Sequence, residues 1–187
     1  MLRLKNDSDC YGWPLVSLHW LMAVAVFGLY FLGLYIVELS YYDPYYKTLP
    51  HWHRSIGMLM LLALSLRLLC RALDRAPRAL PGHTSTTRLL TKTAHALLYL
   101  LMLVALGSGY LMSTADGHGI QVFNWFSVPA LPIRLHHQAD NAGLVHYWSS
   151  TALIALSTVH AIAALKHHFV DKDSTLTRIF GFTREKS

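Results

Sequence analysis

From Ala142 to Leu165 the chain runs 24 residues without Lys, Arg, Asp or Glu. At about 1.5 Å rise per residue, a helix of that length crosses a bilayer core about 30 Å thick. The run nonetheless carries His146 and His160, 14 positions apart. That interval is close to four whole turns at about 3.6 residues per turn, so both imidazoles leave one face, roughly 21 Å apart. Ionisable side chains inside a membrane span are costly and turn to the bundle interior, where each needs a partner. A single intramembrane histidine is more often a packing or hydrogen-bonding residue than a ligand, and the pair carries more weight than either alone. Small residues around them (Ser149, Ala152, Ala155, Ser157, Ala161) serve either close helix approach or room for a flat, bulky group, and composition does not separate the two.

The remaining chain reads as further spans. It is 53% hydrophobic and 14% charged, which places it with membrane proteins. Trp13 to Val37 is free of formal charge and opens with Pro14, a favoured first helical residue. His19 lies near its start, with Gly33 on the same face 14 residues on, leaving space beside whatever occupies the opposite membrane half. A tyrosine-rich loop, 38–50, suits the membrane interface. The second span begins HWHRSIG and reads as the weakest by hydropathy, since only the 12 residues from Ser55 to Leu66 are free of charge, with Arg54 near one surface and Arg67 and Arg71 toward the other. Arg67 stands 14 residues beyond His53. The third span holds His95 near its start, and residues 116–141 form a longer loop before the fourth. These readings give one integral-membrane domain over 1–187 with spans at about 14–37, 51–73, 93–115 and 142–168. The fold class is all-α, a transmembrane four-helix bundle.

Cys10 and Cys70 are the only cysteines and form no C-x-x-C or C-x-x-C-H. A disulfide scaffold, a zinc ribbon and covalently attached c-type haem are therefore not indicated. The apolar run after the first 12 residues is too long for a signal peptide and lacks a small-residue cleavage site, so the first span is expected to be retained. Twelve Lys/Arg fall on the N-terminus, the 71–92 connection and the tail, against three on the opposite side. Both termini are thus expected in the cytoplasm. The net charge of +6 suits anionic lipid headgroups and calls for no nucleic acid.

Alternating spans assign each histidine a depth. His53 and His146 fall at the outer level; His19, His95 and His160 fall at the inner one. Two pairs emerge: His53 with His146, and His160 with either His19 or His95. Zinc requires a tetrahedral set of N, S or O ligands, and no cysteine or acid stands at these depths. Haem iron takes axial imidazoles from facing helices, so two bis-histidine b-type haems are the economical solution.

SLHW around His19, H-x-x-x-G at His53 and Gly57, RLLCR at Arg67 to Arg71, AHALLYLL at His95, the His146/His160 pair and HHFVDKDSTLTRI from His167 together make the chain resemble the bacterial cytochrome b-561 family, in particular its short superoxide-oxidising members. The resemblance implies that His19 and His160 hold the inner haem and His53 and His146 the outer one. His95 is left for hydrogen bonding near the inner haem. Arg67, at inner-haem depth, either pairs with a haem propionate or snorkels to lipid phosphate.

The resemblance also implies a ubiquinone site at the inner end, where His167, Lys172 and Thr175 could donate to a quinone carbonyl. The plainer account of Lys166, His167, His168 and Lys172 is a basic helix end that suits the dipole and the lipid surface. By the same resemblance the activity is that of a superoxide:quinone oxidoreductase, superoxide being attracted by Lys47, Arg54 and Arg134. Acidic residues in the same loops leave a positive funnel unestablished. A haem-bearing membrane anchor that passes electrons from a hydrogenase or dehydrogenase partner protein to quinone is the alternative; a haem-free structural bundle is a third reading.

Overall fold

The structure is a computed structural model that describes residues 4–78, 80, 84–132 and 135–181. Four long helices dominate: α1 (Trp13–Ile36), α2 (Thr48–Leu73), α3 (Ser85–Ser113) and α4 (Gln138–Phe169). A two-stranded antiparallel hairpin, β1 (Ile120–Val122) with β2 (Phe126–Val128), precedes α4, and a short α5 (Thr175–Ile179) follows it. All four long helices are long and apolar enough to cross a membrane. Their outward residues are large and apolar, with Val24, Phe31, Leu62, Leu100 and Val159 all exposed. In water such a surface would be an aggregation hazard; in lipid it is the solvated face. The chain is an all-α, multi-pass membrane protein.

The helices extend beyond their charge-free runs. α3 begins at Ser85 rather than near Thr93, because Thr84 caps it: the Thr84 hydroxyl accepts the Thr87 N–H at 3.1 Å. α4 begins at Gln138, whose amide oxygen accepts the Leu135 N–H at 3.1 Å while its amide nitrogen, Nε2, donates to Leu111 O at 2.9 Å. Polar first turns do not end a helix; they carry it past the hydrocarbon edge. The apolar centre of α2 exceeds that of α4, so Arg67 and Arg71 mark where α2 leaves the apolar layer, not a weak span.

The hairpin lies in the stretch read as loop. Ile120 and Val122 are buried on alternate positions. Ser55 of α2, fully buried, accepts the Phe123 N–H at 2.9 Å and donates to Gln121 O at 3.3 Å. One hydroxyl thus pins the turn, where Phe123 adopts a left-handed φ of 47°.

Contacts divide the chain into two compact units. One comprises Met1–Met22, Ala63–Leu98 and Ala155–Ser187; the other comprises Ala23–Leu62 and Tyr99–Ile154. The core of the first includes Cys10, Leu15, Met22 and Leu64, and that of the second Met60, Ala105, Val122 and Leu153. In the first unit the N-terminal segment is tied to the end of α2. The Asn6 N–H donates to Asp74 Oδ2 at 2.6 Å, and the Arg78 N–H to Ser8 O at 2.9 Å. After α4 the chain returns to α1, where Trp20 Nε1 donates to Ile179 O at 3.1 Å and its ring stacks on Phe180.

Candidate functional site

In each unit the long helices bring histidines face to face. In the second unit, α2 presents His53 and α4 presents His146, with ring centroids 6.1 Å apart and planes at 79°. Glycines let both rings stand where they do. A Cβ on Gly33 would lie 3.3 Å from His53 Cε1, and one on Gly109 would lie 3.0 Å from both Cε1 and Nδ1 of His146. The space expected beside Gly33 is therefore taken by an imidazole. His146 Nδ1 lies 2.8 Å from Ala105 O. A carbonyl only accepts, so Nδ1 carries the proton and Nε2 keeps its lone pair. His53 Nδ1 is buried and has no hydrogen-bond partner among the described residues.

Both rings line a cavity of about 1050 Å³, whose walls are mostly apolar side chains of all four long helices. That is the size class of a bulky organic ligand. Gly57, four residues after His53, contributes open wall: nothing lies within 4 Å of where its Cβ would be. Lys47, Arg54 and Asp116 also line the cavity. The backbone N–H of His118, 2.9 Å from Asp116 Oδ1, and then the His118 imidazole hold the Asp116 carboxyl below its ordinary pKa. The two cations thus share this lining with a carboxylate. Arg134, read alongside them, lies outside the described residues.

In the first unit, His160 of α4 has two histidine neighbours. Its centroid is 6.4 Å from that of His19 and 5.2 Å from that of His95. Arg67 of α2 reaches the same group, with Nη1 donating to Leu15 O at 2.8 Å and Nη2 lying 3.3 Å from His19 Nδ1. A guanidinium only donates, so His19 Nδ1 accepts in this arrangement. Arg67 is thus drawn to the His19 helix.

In the last turn of α4, His167 Nδ1 lies 3.0 Å from Asp171 Oδ2 and 3.0 Å from Asp173 Oδ2. Lys166 Nζ is 2.8 Å from the same Asp171 oxygen. From the sequence Asp173 stands beside His167 without a role and Asp171 goes unremarked; the D-x-D spacing just past a helix end is the available signal for both. Thr175 Oγ1 is buried without a hydrogen-bond partner among the described residues, and the Thr175 N–H donates to Asp173 Oδ1 at 2.8 Å. Lys172 adopts φ 54°. Ala105 and Gly109 were also missed, since a backbone carbonyl and a close approach leave no side-chain signature.

Comparison with known proteins agrees with the motifs. Residues 10–182 match the family described as prokaryotic cytochrome b561. Cytochrome b561 homolog 2 of Escherichia coli (strain K12) is 46% identical over 180 residues, covering 96% of this chain and 96% of the relative. With a family match over nearly the whole length and four membrane-crossing helices, the chain belongs to the prokaryotic cytochrome b561 family.

Proposed function

We propose that the protein is a di-haem b-type cytochrome that oxidises superoxide at the outer face of the bacterial inner membrane and reduces ubiquinone at the inner face. Family membership implies b-type haem and electron transfer in the membrane. The observation that carries the two-haem reading is the spacing of the rings. Two imidazoles that would hold an iron between them must leave room for the metal, so the wider-spaced facing pairs are the ones that could do so. His53/His146 at 6.1 Å and His19/His160 at 6.4 Å suit this; His95/His160 at 5.2 Å is too close. His19 is therefore the preferred partner of His160, and His95 is the adjacent hydrogen-bonding group.

The other residues fit the group. The donors are all imidazoles, with no thiolate, and the cavity at His53 and His146 has glycine-lined space for a flat macrocycle. Haem, when bound, would supply a one-electron carrier held by these imidazoles. The Ala105 carbonyl fixes the His146 tautomer and raises the basicity of Nε2. At His19, binding through Nε2 requires the proton to sit on Nδ1, so the Nη2 arm of Arg67 must turn away while Nη1 remains on Leu15. A guanidinium at this position would suit a haem carboxylate.

Superoxide as donor and ubiquinone as acceptor rest on the motif resemblance, with His167, Lys172 and Thr175 as the quinone-facing residues. Two superoxide ions give two molecules of oxygen and two electrons; with two protons these convert one quinone to quinol. Purified protein in lipid nanodiscs, supplied with superoxide generated in solution and a short-chain ubiquinone, is expected to form quinol in that ratio. Reduction of the haems by a hydrogenase or dehydrogenase subunit, with none by superoxide, would instead assign the role of an electron-transfer subunit.

A further inference from the structure

We propose that Asp171 and Asp173 are positioning residues that hold His167 as the proton donor for quinone reduction. This rests on the quinone reading above. α4 ends at Phe169, and the backbone then turns back on itself. The Val170 and Asp171 N–H groups both return to Lys166 O, at 2.9 and 3.2 Å, and the Asp173 N–H returns to His167 O at 3.1 Å. The reversal places Lys172 at φ 54°, a left-handed conformation that a side chain other than glycine rarely adopts. Its result is that both carboxylates arrive at one ring nitrogen.

Each carboxylate is anchored from elsewhere as well. Asp173 uses Oδ2 for His167 Nδ1 and Oδ1 for the Thr175 N–H at 2.8 Å. Asp171 Oδ2 takes the Lys166 ammonium at 2.8 Å. Ionised carboxylates only accept, so Nδ1 keeps its proton in either charge state of the ring, and Nε2 is the nitrogen that gains and loses one. The three side chains are between 19% and 33% exposed, shielded yet open to exchange with water.

Reduction of a quinone takes two electrons and two protons, one proton to each carbonyl oxygen. The electrons come from the cytochrome. One proton passes from Nε2–H of the imidazolium to a carbonyl oxygen, leaving neutral His167 with Nδ1–H still on Asp173. Water restores the Nε2 proton, and the second carbonyl oxygen, at the far end of the quinone ring, takes its proton from water. The three ligand atoms also lie close enough together to hold a metal ion. The Lys166 ammonium on the Asp171 oxygen disfavours that use, since a second cation would have to displace it.

The test uses holoprotein with its haems reduced beforehand, mixed in stopped flow with short-chain ubiquinone or with ferricyanide, which needs no proton. Asp173→Asn is expected to slow reoxidation by saturating quinone roughly tenfold or more, and His167→Ala about a hundredfold. Haem spectra and the ferricyanide rate stay unchanged, and added imidazole rescues His167→Ala. A rise only in the half-saturating quinone concentration would make these residues a binding contact and overturn the proton role. Tight Zn²⁺ binding by calorimetry, abolished in Asp171→Asn and Asp173→Asn, would overturn it in favour of a metal site. Wild-type haem oxidised by ferricyanide but never by quinone would remove the quinone reading and this proposal together.

Discussion

His146 gives its Nδ1 proton to the carbonyl oxygen of Ala105 across 2.8 Å, and the ring reaches that carbonyl only because residue 109, one turn further along α3, is glycine. A Cβ at position 109 would stand 3.0 Å from two ring atoms. The ring cannot yield without losing its hydrogen bond. Gly109→Ala is therefore expected to lower haem content at this site alone, measured as haem per chain after purification, while Gly28→Ala, with open space around its Cβ, changes nothing.

The group around His160 contains three histidines where a bis-histidine haem would need two. Spacing separates them: 6.4 Å for His19/His160 against 5.2 Å for His95/His160. His19→Ala should lose one of two haems, whereas His95→Ala should keep both with a shifted midpoint potential. Redox titration with optical detection reads both results, and loss of a haem in His95→Ala would exchange the two assignments.

Arg67 joins α2 to α1 through Leu15 O. Truncation leaves that carbonyl without this donor, at a cost of about 1–3 kcal/mol if no water replaces it, and removes the cation available to a haem carboxylate. Arg67→Ala is expected to lose the inner haem, and Arg67→Lys to retain it at reduced occupancy. Retention of both haems in both variants would leave Arg67 as a surface anchor only.

The hairpin hangs on one hydroxyl. Ser55 meets Phe123 N–H and Gln121 O, so Ser55→Ala buries an unpaired donor and costs about 1–3 kcal/mol. Thermal unfolding in detergent is expected at lower temperature, and limited proteolysis is expected to cut near Trp125, where the wild type resists.

Charge-free runs made the spans legible, because the bilayer penalises charge over a fixed length. Their ends were not, because Thr84 and Gln138 carry α3 and α4 outward by capping rather than by hydropathy. The interval from His146 to His160 exposes a shared helix face, and the alternation of the spans, which gives each histidine a depth, leads to the facing pairs. It could not choose between His19 and His95, since both fall near the start of a span and only tertiary spacing differs. Strands of three residues, Ile120–Val122 and Phe126–Val128, are too short to show a period. The carboxylates at His167 stayed hidden because a left-handed Lys172, not sequence proximity, turns them back.

The most direct measurement is a reduced-minus-oxidised spectrum of the purified protein together with its haem-to-protein ratio, for the wild type and for His53→Ala. The account predicts two b-type haems per chain in the wild type and one in the variant. A colourless wild type, or a His53→Ala protein that keeps both haems, would contradict it.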